Sequence, residues 1–179
     1  MGTAVIYKQF VAKPNAQAWI DWCEASIGVM GFDATLHLPL HQAHLRSSDE
    51  LTRALRHTFN MLDRYFLGTA HRRFNLRIPR FVTHEYASGV GWHAHISLML
   101  WQDKQGFVIK PEHFQAKLIE YWHATTKQPQ NSKFSKLIVD FKITHDQFLS
   151  YSLKKIENTS HQNGLVDVLN CAADALRAA

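Results

Sequence analysis

Apolar residues recur across positions 15–30 at alternating steps of four and three, through Ala16, Ile20, Cys23, Ile27 and Met30, which predicts an amphipathic helix stopped by Gly31. Residues 33–40 change period: Leu36, Leu38 and Leu40 alternate with Thr35, His37 and Pro39, as in a strand buried on one side, with Pro39 placing its end at an edge or bulge. Ser47 and Glu50 have capping-box spacing and open a helix to about Phe66, whose inner stripe is Leu51, Leu55, Thr58, Leu62 and Phe66. Tyr65 and, further on, Tyr121 lie among apolar helix positions and are expected in the core. Two strand-like runs, Arg77 to Tyr86 and His93 to Trp101, flank the turn-rich segment Ala87 to Trp92 and predict an antiparallel hairpin. Pro111 suits the first turn of a helix carrying Phe114, Leu118, Tyr121 and Thr125. Leu137, Val139, Phe141 and Ile143 alternate as a further strand. Thr144 and Gln147 cap a helix to about Asn158, and Leu165, Val168, Leu169, Ala172 and Leu176 predict a last helix over about 164–178. The expected class is α+β, one antiparallel sheet covered by helices.

Composition narrows the class. The 179 residues suit one domain, and the 8 glycines and 5 prolines are scattered rather than gathered into a linker. With 46% hydrophobic and 20% charged residues the chain has ordinary globular composition, which excludes collagen-like and disordered classes. No apolar run is long enough to span a bilayer and the first residues lack a signal-peptide pattern, so a cytoplasmic protein without a membrane partner is expected. Cys23 and Cys171 stand far apart in amphipathic stretches and read as buried thiols. A net charge of +5 favours a polyanionic partner. Arg72, Arg73, Arg77 and Arg80 fall within ten residues, and Lys133, Lys136, Lys142, Lys154 and Lys155 form a second basic set.

The first chemical signal is His93-Ala94-His95, because residues two apart in a strand share a face. Two imidazoles on an exposed strand face suit a divalent cation but do not complete a site. If Glu85 pairs across the turn with His93, the two Cβ atoms lie about 5 Å apart and the carboxylate supplies the third ligand. In the same register Thr83 faces His95, while His37 and His84 remain alternative ligands. The other histidines, such as His57, His71, His113, His123 and His161, read as surface or capping residues.

The second signal is Tyr151. In the helix to Asn158 the apolar stripe is Phe148, Leu149, Ser152, Leu153 and Ile156, and Tyr151 falls on the opposite, polar face. Lys154 follows at i+3 and Lys155 at i+4, either near enough to favour a phenolate.

A His-x-His strand followed by a Tyr-x-x-Lys helix resembles the HUH superfamily of single-strand endonucleases, in particular rolling-circle replication initiators of phages and plasmids. The matching pieces are Asp33 to Leu40, then Glu85 to His95 with Gly89 midway, then Tyr151-Ser152-Leu153-Lys154, so the resemblance covers about residues 33–158. It implies a ferredoxin-like or RRM-like sheet and a metal held by Glu85, His93 and His95. It also implies Tyr151 as nucleophile with Lys154 assisting, leaving a 5′-phosphotyrosine and a free 3′-hydroxyl. Mn²⁺ or Mg²⁺ is the implied cofactor, and single-stranded DNA or an origin hairpin the implied substrate. The position one turn before Tyr151 holds Gln147, which implies a single-tyrosine enzyme, and no Walker sequence is present, so helicase and polymerase are separate partners. Arg72, Arg73, Arg77, Arg80 and Lys155 are the expected backbone contacts. The same chemistry serves transposition or attack on a competing genome. Beyond it stand a cupin-like metalloenzyme, which also uses His-x-His on a strand, and a DNA-binding module without catalysis.

Overall fold

Among the described residues the alternation of β-period and helix-period segments is realised as eight elements. They are α1 (Ala16–Ser26), β1 (Phe32–His37), α2 (Ser48–Phe74), β2 (Arg80–Ala87), β3 (Gly91–Leu98), α3 (Pro111–Thr126), β4 (Val139–Ile143) and β5 (Gly164–Val166). The structure is a computed structural model, and it describes residues 16–26, 32–38, 47–98, 109–127, 139–143, 153 and 164–172. The strands form one sheet in the order β4-β1-β3-β2-β5, every neighbouring pair antiparallel. From β1 to β4 the chain runs strand, helix, strand, strand, helix, strand. The class is α+β, as expected.

Strand alternation gives the sheet two unlike faces. Ala34 and Leu36 of β1, Val82 of β2, and Ala94, Ile96 and Leu98 of β3 pack on Leu51, Leu55, Phe59 and Leu62 of α2 and on Phe114, Leu118 and Trp122 of α3. These side chains are essentially removed from water. Truncating one such leucine to Ala costs about 2–5 kcal/mol. The opposite face carries Asp33, Thr35 and His37, then Ser97, His95 and His93, then Phe81, Thr83 and Glu85. α1 covers one end of it, where Trp19 and Cys23 pack with Phe81 and Leu153. Trp19 and Trp22 meet the Phe81 ring at centroid distances of 5.8 and 6.1 Å. The Ser97 hydroxyl donates to Asp33 Oδ1 (2.8 Å) on the same face.

α2 starts where the capping box places it: Glu50 N–H donates to Ser47 Oγ and Ser47 N–H to Glu50 Oε2. It runs past Phe66 to Phe74, broken at Gly68 (φ 50°, ψ −116°) and closed by Asn75 in the left-handed region. A Cβ at Gly68 would meet nothing within 4 Å, so glycine is there for its backbone conformation rather than for space. Tyr65 is not core: it is 46% exposed, and its hydroxyl lies 3.1 Å from His113 Nε2. His123, expected at the surface, is 2% exposed. The helix expected over 164–178 begins instead as β5, which pairs with the free edge of β2, followed by a turn at 168–170 and a bridge from Ala172 to Arg80. Cys23 and Cys171 are free, and burial pushes the Cys171 thiol up to about 12. Of the helix expected over 144–158 only Leu153 is among the described residues. No helix of the described residues is long and apolar enough to cross a membrane.

Candidate metal centre

The β2–β3 hairpin sets the site. Its turn closes with Val90 N–H donating to Ala87 O (3.1 Å), and Gly89 and Gly91 take φ of 82° and 81°, a region glycine enters without strain. That turn puts Glu85 opposite His93 and Thr83 opposite His95, the register expected from the spacing. β1 flanks β3 on its other side, with His37 opposite His93 and Thr35 opposite His95.

Ligand atoms of Glu85, His93 and His95 all lie within 4.8 Å of one another. The face is not exposed as the sequence suggested: the three residues are 7%, 6% and 5% exposed. His95 Nε2 is 3.3 Å from Glu85 Oε2. The other nitrogen of each imidazole is occupied behind the cluster. His93 Nδ1 is 3.2 Å from the Gly91 carbonyl, which can only accept, so Nδ1 carries the proton and Nε2 keeps its lone pair. His95 Nδ1 is 3.1 Å from Thr35 Oγ1, a hydroxyl that donates to it while Nε2–H faces Glu85 and that can accept from it once Nε2 is given to an ion. Such outer partners fix the ring orientation and the ligating nitrogen of metal-bound histidines.

A divalent cation fits this donor set. Two imidazole nitrogens and a carboxylate oxygen make a three-ligand group, leaving further coordination positions for water or substrate oxygens. Thr83 Oγ1, on the same face and opposite His95, is buried with no hydrogen-bond partner among the described residues, a polar atom that an aquated ion beside it would satisfy.

The alternative ligands separate cleanly. His37 stacks on His93 (centroids 5.0 Å, planes 19° apart) and backs that ring, while its carbonyl accepts from Trp122 Nε1 (3.1 Å), tying β1 to α3. His84 points to the other side of the sheet, its Nε2 2.8 Å from Asp167 Oδ2, and takes no part in the cluster. Burial by itself would raise the Asp167 carboxyl, but the His84 and Asn170 hydrogen bonds outweigh it and hold the group below the usual carboxylate range.

The arginines expected to bind a nucleic-acid backbone divide. Arg72 and Arg73 are exposed in the last turn of α2. Arg77 is half-buried and donates to Asn60 Oδ1 (2.6 Å), Asp63 Oδ2 (3.3 Å) and Asn75 Oδ1 (3.2 Å). Arg80 corrects the expectation: it is 5% exposed, forked onto Asp63 by Nη1 and Nη2 at 3.0 and 3.1 Å, and stacked 4.2 Å over Phe59. It belongs to a buried structural ion pair. Tyr151, Lys154 and Lys155 lie outside the described residues. Thr35 and the Gly91 carbonyl were missed as partners of the site. Thr35 shares the alternating face of His37, but only the β1–β3 register brings it to His95.

Comparison of the chain with protein-family models, with curated proteins and with solved structures finds no match.

Proposed function

We propose that this chain is a metal-dependent nickase of the HUH type, cleaving single-stranded DNA by tyrosine transesterification, most simply to start rolling-circle replication of a mobile element. The observation that carries the reading is the convergence of Glu85, His93 and His95 on neighbouring strands, both histidines anchored through Nδ1. Two others support it. The strand-helix-strand-strand-helix-strand order from β1 to β4, in an antiparallel sheet of order β4-β1-β3-β2-β5, is compatible with the ferredoxin-like or RRM-like fold that the sequence resemblance implies. Leu153, two residues from Tyr151 in the chain, is buried against Phe81 on the same sheet face as the cluster.

In this mechanism the Tyr151 oxygen attacks the scissile phosphorus, the phenolic proton is lost to solvent, and the 3′-oxygen leaves to become a hydroxyl. The new O–P bond replaces the broken one, so religation by the same hydroxyl needs no nucleotide cofactor. Glu85, His93 and His95 would hold Mn²⁺ or Mg²⁺, which supplies charge neutralisation at the phosphate. A phenol with a pKa of about 10 is a weak nucleophile at neutral pH, and Lys154 assists by favouring the phenolate. The Gly91 carbonyl holds His93 in the ligating tautomer, and the Thr35 hydroxyl orients the His95 ring through Nδ1.

The test is incubation of the chain with labelled single-stranded DNA from its element's origin and Mn²⁺, followed by a denaturing gel. A metal-dependent covalent protein–DNA band that vanishes in Tyr151→Phe is expected. A band that persists in Tyr151→Phe refutes the nucleophile, and the absence of any band over pooled oligonucleotides refutes the reaction.

A further inference from the structure

Thr83 occupies a strand position that an apolar residue would fill as well. It is fully buried in the middle of β2, and its Oγ1 has no hydrogen-bond partner among the described residues. Cross-strand partners share a face, so its side chain is flanked by Phe81 and Glu85 along β2, by His95 across on β3 and by Val166 across on β5. Phe81 and Val166 belong to the apolar cluster that packs with Trp19 and Cys23 of α1. Glu85 and His95 belong to the metal-ligand group. The hydroxyl therefore lies on the seam between the covered apolar end of the face and the ligand side chains.

Nothing on the apolar side of that seam can pair with it. On the other side, His95 directs Nε2 to Glu85 (3.3 Å) and Nδ1 to Thr35 (3.1 Å), so neither ring nitrogen is turned to Thr83. Burying a hydroxyl unpaired is unfavourable, whereas valine has nearly the same shape, suits a buried strand and carries no such penalty. The chain keeps a polar atom where it destabilises the ion-free fold, directly beside a group of residues able to hold an ion.

We propose that Thr83 is a metal-specificity residue: its hydroxyl holds a water carried by the ion on Glu85, His93 and His95, and so favours an ion that retains several waters. The inference rests on the metal-centre reading and names the residue that selects among ions. Zn²⁺ on three protein ligands is completed by a single water. Mn²⁺ and Mg²⁺ take more oxygen ligands, and Mg²⁺ keeps several of its waters when bound. A buried hydroxyl beside the ligand group adds a partner for such a further water.

Thr83→Val should act with opposite signs on two measurements. Without metal, in the presence of a chelator, the variant should melt at or above the wild-type temperature, because an unpaired buried hydroxyl is gone. Its affinity for Mn²⁺, followed by the electron paramagnetic resonance of the free ion, should fall about 10–100-fold, as on loss of other groups behind a metal's ligands. Zn²⁺ affinity, read by displacement of Mn²⁺ from the same site, should hold, so the preference for Zn²⁺ over Mn²⁺ rises. Thr83→Ser keeps the hydroxyl and should restore Mn²⁺ binding. A metal-free Thr83→Val that melts below wild type makes the residue merely structural and overturns the proposal, as does an unchanged Mn²⁺ affinity or an equal loss for both ions. A wild-type chain that takes up neither ion refutes instead the metal centre on which the proposal stands.

Discussion

Removal of the Asp63 carboxylate should destabilise the protein severely although the residue is remote from the metal centre. Asp63 is fully buried and accepts from Ile78 N–H (2.9 Å), from Arg80 Nη1 and Nη2 (3.0 and 3.1 Å) and from Arg77 Nη1 (3.3 Å). In Asp63→Ala, Arg80 keeps its bonds to the Asn170 and Ile78 carbonyls but loses its counter-charge at a site only 5% exposed. Breaking one side of a buried pair costs about 3–5 kcal/mol. Against a total of about 5–15 kcal/mol that is a large fraction, and at about 2–4 °C per kcal/mol for a chain of this size the melting temperature should fall by about 6–20 °C. The contrast is Asp63→Leu with Arg80→Met, which removes both charges and fills similar volume. It should be more stable than Asp63→Ala, because leaving two carbonyls short of donors costs less than leaving a cation unpaired. Urea denaturation followed by circular dichroism gives both values. A loss under about 1 kcal/mol in Asp63→Ala, or a double variant less stable than the single, refutes the view that Arg80 is held by charge in a buried site.

Three further outcomes follow from the geometry. Thr35→Val removes the hydroxyl behind His95 and should weaken Mn²⁺ binding by about 10–100-fold in a calorimetric titration, and unchanged affinity would show that Thr35 does not orient the ligand. Gly68→Ala should cost about 1–2 kcal/mol at φ 50° despite the open space around it, and a variant that melts no lower than wild type would contradict the backbone account of the α2 break. Asp167 has a folded-state pKa below its ordinary 3.8, so its contribution is present above the unfolded value and lost as pH falls through the lower folded one. Asp167→Asn should therefore flatten the acid limb of the stability curve below about pH 4, and an acid limb of unaltered steepness would show that the His84–Asp167 pair does not couple to folding.

The β2–β3 hairpin and its register were legible because they depend on local period and turn chemistry. The alternation around His93 and the glycine-containing turn suffice to bring Glu85 opposite it. What depends on distant partners was not legible. Arg80 looked like one member of a basic cluster because its partner, Asp63, sits on another element, 17 positions earlier in the chain. Leu165, Val168, Leu169 and Ala172 match a helical stripe, yet β2 offers an open edge of unpaired backbone groups, and satisfying it makes a strand of Gly164–Val166. The burial of the ligand face escaped notice because no pattern in β2 or β3 tells that α1, far back in the sequence, folds over part of it. Tyr65 shows the reverse error, an aromatic at an apolar helix position that ends at the margin of the α2–α3 contact.

β3 is paired along its whole length with β2 and along most of it with β1, so His93 and His95 each have a neighbour on either side. Strands held on both edges open last, with free energies approaching that of global unfolding. Their amide protons should therefore exchange with deuterium among the slowest in the molecule. An ion on these imidazoles would then depart by ligand exchange within a standing framework, its residence time governed by coordination chemistry and decoupled from the breathing of the fold.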